Sequence, residues 1–216
     1  MKLSKIFLLI LLVYCSNTYA QTEVKELDLW KFYKGDNVYA SQTDFDDTEW
    51  ESVTIPHDWA IYGPFDKEID KQIVEIEQNG EKVSLEKTGR TGALPFVGVG
   101  WYRTNLSLPD FNNAKQALLT FDGAMSNAEV FVNGKKVGNR PYGYSYFYFN
   151  ISDYIHEGMQ NVIAVRLENQ AFSSRWYPSA GLYRKVRVIV KNKVCFKHWG
   201  HFITTPFISE DLAKIN

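Results

Sequence analysis

NAEVFVNGKKVG, residues 127–138, decides the fold class. Ala128, Val130 and Val132 fall on one face of an extended chain, because side chains in a strand alternate with a period of two. Asn133-Gly134 follows at once, and both residues accept the left-handed backbone that a two-residue hairpin turn requires. The stretch therefore reads as strand, tight turn, strand, and the same pattern spreads in both directions.

Upstream lie QALLTFDG (116–123) and GVGWYRTNLSL (98–108), where Tyr102, Thr104, Leu106 and Leu108 share one face and Trp101, Arg103 and Asn105 the other. Downstream, YSYFYFNI (144–151) reads as an aromatic strand, and SDYIHEG (152–158) as one helical turn with Ser152 or Asp153 as its cap. QNVIAVRLEN (160–169) buries Ile163, Val165 and Leu167, and GLYRKVRVIVK (181–191) closes the set. LDLWKFY (27–33) and WESVTIPHDW (50–59) open it. Short strands at even spacing with turn residues between them predict an all-β fold, a sandwich or jelly roll. Residues 66–92 differ, being charged with Asn79-Gly80 at their middle, and predict a solvated hairpin arm inserted into the sandwich.

The chain begins with Lys2 and Lys5, then the apolar run IFLLILLVY, then CSNTYA, the pattern of a secretory signal over 1–20. Cleavage after Ala20 implies an exported protein, periplasmic or associated with the outer membrane. Lipid attachment at Cys15 is the alternative, and only that would tie the protein to a membrane. The 216 residues carry 24 Lys and Arg against 25 Asp and Glu. Loss of the leader removes two lysines and leaves the balance more acidic, which excludes a nucleic-acid binder. One cysteine, Cys195, remains after that cut, so packing rather than an internal disulfide holds the fold. Aromatic residues make up 15% of the sequence, and their flat apolar faces suit both cores and sugars.

No catalytic machinery is legible. There is no glycine-flanked serine elbow, phosphate loop or dinucleotide fingerprint. Cys195, His198 and His201 alternate in an extended chain and do not converge on a zinc ion. Asp44, Asp46, Asp47 and Glu49 lack the glycine of a calcium loop and read as an acidic turn. No metal or other cofactor is expected. Two segments remain. SSRWYPSAGLYRKV (173–186) places Arg175 and Trp176, a fork of donors and a flat indole, on a bend before a strand. TIPHDWAIYGPF (54–65) places Asp58 and Trp59 between Pro56 and Pro64. Asp58 there is a candidate acceptor for sugar hydroxyls or the cap of a turn; Trp59 stacks on a sugar or plugs the core.

FDDTEWESVTIPHDW, GVGWYR, LTFDGAMSNAEVFVNGKKVG, YSYFYFNIS, NVIAVRLEN and SSRWYPSAGLYRKV resemble, in this order, the amino-terminal domain of glycoside hydrolase family 2, most of all its β-galactosidase branch in Bacteroides-type bacteria. The resemblance covers about residues 26 to 205. It implies a jelly-roll, galactose-binding-domain-like sandwich over 21–192 that binds sugar. It also implies that 193–216 is a final strand and the start of a linker to an immunoglobulin-like domain, with a catalytic barrel beyond it. In such enzymes the two catalytic glutamates lie in the barrel, so no residue here inherits those roles and this chain alone is expected to be inactive. The expected partners are a β-galactoside-type glycan and that barrel. Arg175, Trp176 and Asp58 are the residues expected at the rim of the sugar pocket. Some relatives carry an acidic residue at the position of Arg175, a departure that bears on which sugar is held. A stand-alone carbohydrate-binding module and a purely structural domain are the alternatives.

Overall fold

The computed structural model describes residues 22–87 and 90–216. The expected signal over 1–20, with Cys15, lies outside the described residues. In chain order the strands are β1 (Thr22–Glu26), β2 (Leu29–Lys34), β3 (Glu51–Thr54), β4 (Gln72–Gln78) and β5 (Glu81–Lys87). Then come β6 (Gly98–Ser107), β7 (Lys115–Phe121), β8 (Ala128–Val132), β9 (Lys135–Arg140) and β10 (Phe147–Asn150). The last are β11 (Gln160–Asn169), β12 (Val186–Asn192), β13 (Phe207–Ile208) and β14 (Ala213–Lys214).

Two sheets face each other, one ordered β1-β12-β7-β10 and one β3-β2-β6-β11-β8-β9. The β8–β9 hairpin turns at Asn133-Gly134, with Val132 opposite Lys135. Tyr102, Leu106, Val130, Val132, Ile163, Val165 and Leu167 come from the larger sheet. They meet Ala117, Leu119, Phe121, Phe147, Val186 and Val188 from the smaller one in a single core. Phe121 and Phe147, opposite each other in register, stack with ring centroids 4.7 Å apart. The result is an all-β sandwich of jelly-roll type, held by apolar burial between two pleated layers.

The other face of β6 carries Trp101 and Arg103, as their alternation predicts, and both are almost fully buried. The loop between β2 and β3 folds over them. Arg103 Nε donates to Asp47 at 2.7 Å, and its Nη1 donates to the carbonyls of Ala40 and Gln42 at 2.5 and 3.0 Å. Trp101 Nε1 donates to Asp36 at 2.9 Å. Arg166 of β11 also grips Asp36, at 2.6 Å from Nη2, and holds that carboxyl down to about 2. Two arginines on one sheet face thus strap the loop through two of its aspartates, Asp36 and Asp47, while Asp46 closes a local turn on Thr48. The 3-10 turn Ser152–Tyr154 is not capped by Ser152 or Asp153 as expected. Asn150 Oδ1 instead accepts from the backbone and hydroxyl of Ser152, two residues on, closing an Asx turn ahead of the helical turn.

The arm expected around Asn79-Gly80 forms as the β4–β5 ribbon, with Val74 opposite Leu85 and Ile76 opposite Val83 on one half-buried face. Glu23–Val190 is one compact unit, and 191–216 belongs to another. In the latter, residues 193–206 form turns and bends, where one strand was expected, followed by the short β13–β14 hairpin. His201 packs against Phe196, and His198 against Trp199. No helix among the described residues is long and apolar enough to cross a membrane.

Arg103→Leu keeps the apolar stem but leaves Asp47 and two loop carbonyls without their donor. We expect a loss of about 3 kcal/mol of unfolding free energy, measured by urea denaturation. An unchanged midpoint would show that the loop is not strapped through this side chain.

Candidate sugar-binding site

The chain leaves β11 at Asn169 and returns to the smaller sheet at Val186, and the segment between them builds the site. Gly181 fixes its path. It forms a two-way backbone bridge with Met125, N to O at 3.0 Å in each direction. Its φ is +128°, and an added Cβ would stand 2.4 Å from the Tyr102 hydroxyl and 2.6 Å from the His57 carbonyl. Only glycine fits there. The other side of the segment bonds to the Pro56 loop, with His57 N donating to Leu182 O and Trp59 N to Ala180 O, both at 2.9 Å.

Asp58, expected at the rim, is half-buried under the bend. One carboxylate oxygen accepts from Ala60 N at 3.0 Å and from the Tyr177 hydroxyl at 2.5 Å, and the other accepts from Ala180 N at 3.1 Å. Burial and that neighbouring carboxylate push the Tyr177 hydroxyl far up, so it stays a donor. Asp58 thus ties the loop after Pro56 to the bend. Trp59 stacks on Phe32 at 5.9 Å beneath the Lys34 ammonium, packed against the core rather than offered to solvent.

Arg175 and Trp176 are exposed at the crest of the bend, and both line a cleft of about 570 Å³. That volume falls within the range of small-molecule sites. Trp176 is 59% exposed, and its Nε1 donates to the Tyr144 hydroxyl at 3.1 Å. Tyr142 packs edge-on against Tyr144 at 5.6 Å and also lines the cleft. Phe172 and Ser179 hold positive φ angles of 57° and 82° on either side of the crest, a backbone cost that surrounding bonds must maintain. Those bonds come from three directions. Asp70 accepts from Phe172 N, and Gln72, at the foot of β4, donates to Ser174 O at 2.9 Å. Asn169 donates to Ser179 O and Phe96 O, while Ser126 donates to Asn169 Oδ1 at 2.9 Å.

The structure brings Arg175 and Trp176 together and sets Asp58 apart from them as a brace. Tyr142, Tyr144 and Gln72 were missed by sequence reasoning. The first two belong to RPYGYSY, where Pro141 and Gly143 mark a loop before β10 begins at Phe147. Gln72 carries no local signal at all, since only the fold brings the arm to the bend.

Residues 25–192 match the model of glycosyl hydrolases family 2, sugar binding domain. A β-galactosidase of Bacteroides ovatus, BoGH2A, is 37% identical over 188 residues, which is 87% of this chain and 20% of that protein. A putative β-glucuronidase of Formosa agariphila is 35% identical over 213 residues, 96% of this chain and 19% of that protein. Among solved structures, a glycosyl hydrolase family 2 member from Bacteroides cellulosilyticus superposes with a TM-score of 0.75 at 31% identity, covering 89% of this chain and 24% of that one. The chain therefore spans about a fifth of the length of the curated relatives it matches.

His57 provides a check on how the bend is seated. Its Nδ1 lies 2.8 Å from the Tyr102 hydroxyl, whose oxygen already takes a hydrogen bond from the Leu182 backbone. Burial favours the neutral ring, in which Nδ1 can accept the phenol proton. Burial lowers the His57 pKa below its ordinary 6.5, against weaker opposing pulls from Glu51 and Asp58. A group whose folded pKa is depressed is protonated first in the unfolded chain, so its contribution is present above pH 6.5 and is lost as the pH falls through the folded value. Unfolding free energy should fall between about pH 7 and pH 5. In His57→Gln that part of the slope should vanish, as read by urea titration at each pH; equal slopes would refute the buried neutral ring. With its bend, its cleft and its sequence match taken together, the chain belongs to glycoside hydrolase family 2, as the sugar-binding domain of that family.

Proposed function

We propose that this domain forms the rim of the saccharide site of an exported glycosidase, with the bond-breaking groups supplied by a catalytic barrel in a longer protein. The substrate proposed is a β-galactoside-type glycan. The proposal extends to the compartment: periplasmic, or held at the outer membrane if Cys15 is lipidated.

The observation that carries this reading is the make-up of the cleft. It presents an exposed indole face, a guanidinium and two tyrosines, while no carboxylate is among the described residues that line it. Glycoside hydrolysis needs two carboxyl groups on opposite sides of the scissile bond. Such a surface grips a sugar by stacking and donation and leaves its cleavage to groups elsewhere. The relatives support the same division, since the chain matches about a fifth of each. The β-galactosidase name of the 37% identical relative supports the galactoside, and the β-glucuronidase name of the 35% identical one keeps a uronide in view.

The purified chain should not hydrolyse a nitrophenyl β-galactoside. It should bind millimolar methyl β-galactoside weakly, with the Trp176 indole N–H resonance shifting. Hydrolysis by the purified chain would overturn the division of labour. Micromolar affinity would favour a stand-alone carbohydrate-binding module instead, and no response at any residue of the cleft would reduce the domain to a structural one.

A further inference from the structure

The charge balance of the cleft points to more than a neutral sugar. Its described lining residues include Arg175 and no Lys, His, Asp or Glu, so one positive charge stands there without a lining counter-charge. Among the described residues, Arg175 makes no hydrogen bond or ion pair, and its guanidinium lies at the exposed crest of the bend. The acidic group nearest in the bonding pattern is Asp70, at the foot of the arm. Its two oxygens are already engaged, one by Phe172 N and one by the Gln72 amide. The other arginines described above are committed: Arg103 to Asp47 and Arg166 to Asp36. Arg175 is set on a segment held by costly φ angles and by bonds from Asp70, Gln72 and Asn169, which is more order than an idle surface arginine needs.

A guanidinium presents several N–H donors in a fixed plane and pairs with an oxyanion through two parallel bonds. Beside it, Trp176 offers a ring face and Gln72, whose amide nitrogen is spent on Asp70 and Ser174, an amide oxygen, groups that hold a pyranose and its hydroxyls. We propose that this cleft selects a saccharide bearing an anionic substituent, with Arg175 taking the oxyanion and Trp176 taking the face of the ring. The shared chemistry is a carboxylate or sulfate ester on a galactoside-type glycan. This rests on the reading of the cleft as a saccharide rim and adds the charge of its ligand. Arg175 is on this account a specificity-determining residue, and its positive charge also steers acidic glycans toward the site.

The test is a titration of the ¹⁵N-labelled protein with three probes: methyl β-galactoside, methyl β-galacturonide and a sulfated methyl β-galactoside. The Trp176 indole resonance, assigned with Trp176→Phe, is the reporter. At low salt at least one anionic probe should bind about tenfold more tightly than the neutral one, the size of one charge-assisted contact. Which of the two does so identifies the oxyanion. The preference should vanish in Arg175→Gln and shrink at high salt, where exposed charges are screened. Trp176→Ala, read at neighbouring amides, should weaken all three probes in parallel. Equal affinity for neutral and anionic probes, or a preference that survives Arg175→Gln, overturns the inference and leaves the saccharide rim standing. Absence of any shift with every probe overturns both.

Discussion

Three hydrogen bonds to one carboxylate hold the site together. Asp58 accepts from Ala60 N, Tyr177 and Ala180 N, and so joins the loop after Pro56 to the bend that carries Arg175 and Trp176. The two segments share only two backbone bonds, His57 N to Leu182 O and Trp59 N to Ala180 O, and ordering a residue costs about 1–2 kcal/mol of chain entropy. An acceptor with two oxygens placed between them extends that short ladder. Charge strengthens each bond, since a carboxylate accepting N–H or O–H groups makes shorter and stronger contacts than a neutral acceptor. The opposite side of the bend is fixed by the Gly181–Met125 bridge, which works only because no side chain occupies the space filled by the Tyr102 hydroxyl and the His57 carbonyl.

The sandwich beneath gives this clamp a fixed base. Tyr102 is fully buried in the core, and its hydroxyl meets His57 directly below the bend. Asn169, the last residue of β11, turns its amide back to Phe96 and Ser179, which bonds the end of a core strand to the bend. The β4–β5 arm contributes through Asp70 and Gln72 at its foot. The aromatic wall of the cleft comes from a third loop, through Tyr142 and Tyr144, and that loop is pulled close where Gly143 O accepts from Ala124 N and from the Tyr183 hydroxyl. A rigid scaffold with function on its loops is the usual division in proteins, and here the exposed indole and guanidinium sit on such a loop.

Much of the fold is legible in the sequence because period-two patterns and turn dipeptides are local signals. Asn133-Gly134 and Asn79-Gly80 each mark a hairpin that forms, and Ile163, Val165 and Leu167 point inward as their spacing predicts. The exposure of Arg175 and Trp176 also follows from local features, a proline and a glycine framing a bend. What escapes is anything decided by long-range pairing. No local signal marks Arg103 as buried; a loop some sixty positions away covers it. Asp58 reads equally as a sugar acceptor or a turn cap, because its partners Tyr177 and Ala180 are far along the chain. Gln72 and Tyr144 join the cleft only through the assembled fold.

The most direct test of this account is amide hydrogen exchange in Asp58→Ala, followed residue by residue. If the carboxylate clamps the bend, exchange at Ala60 and Ala180 accelerates, and the opening spreads to the Met125 and Gly181 amides of the bridge while the β11 amides stay protected. If Met125 and Gly181 keep their wild-type protection once the carboxylate is gone, the bend holds itself and the central claim is contradicted.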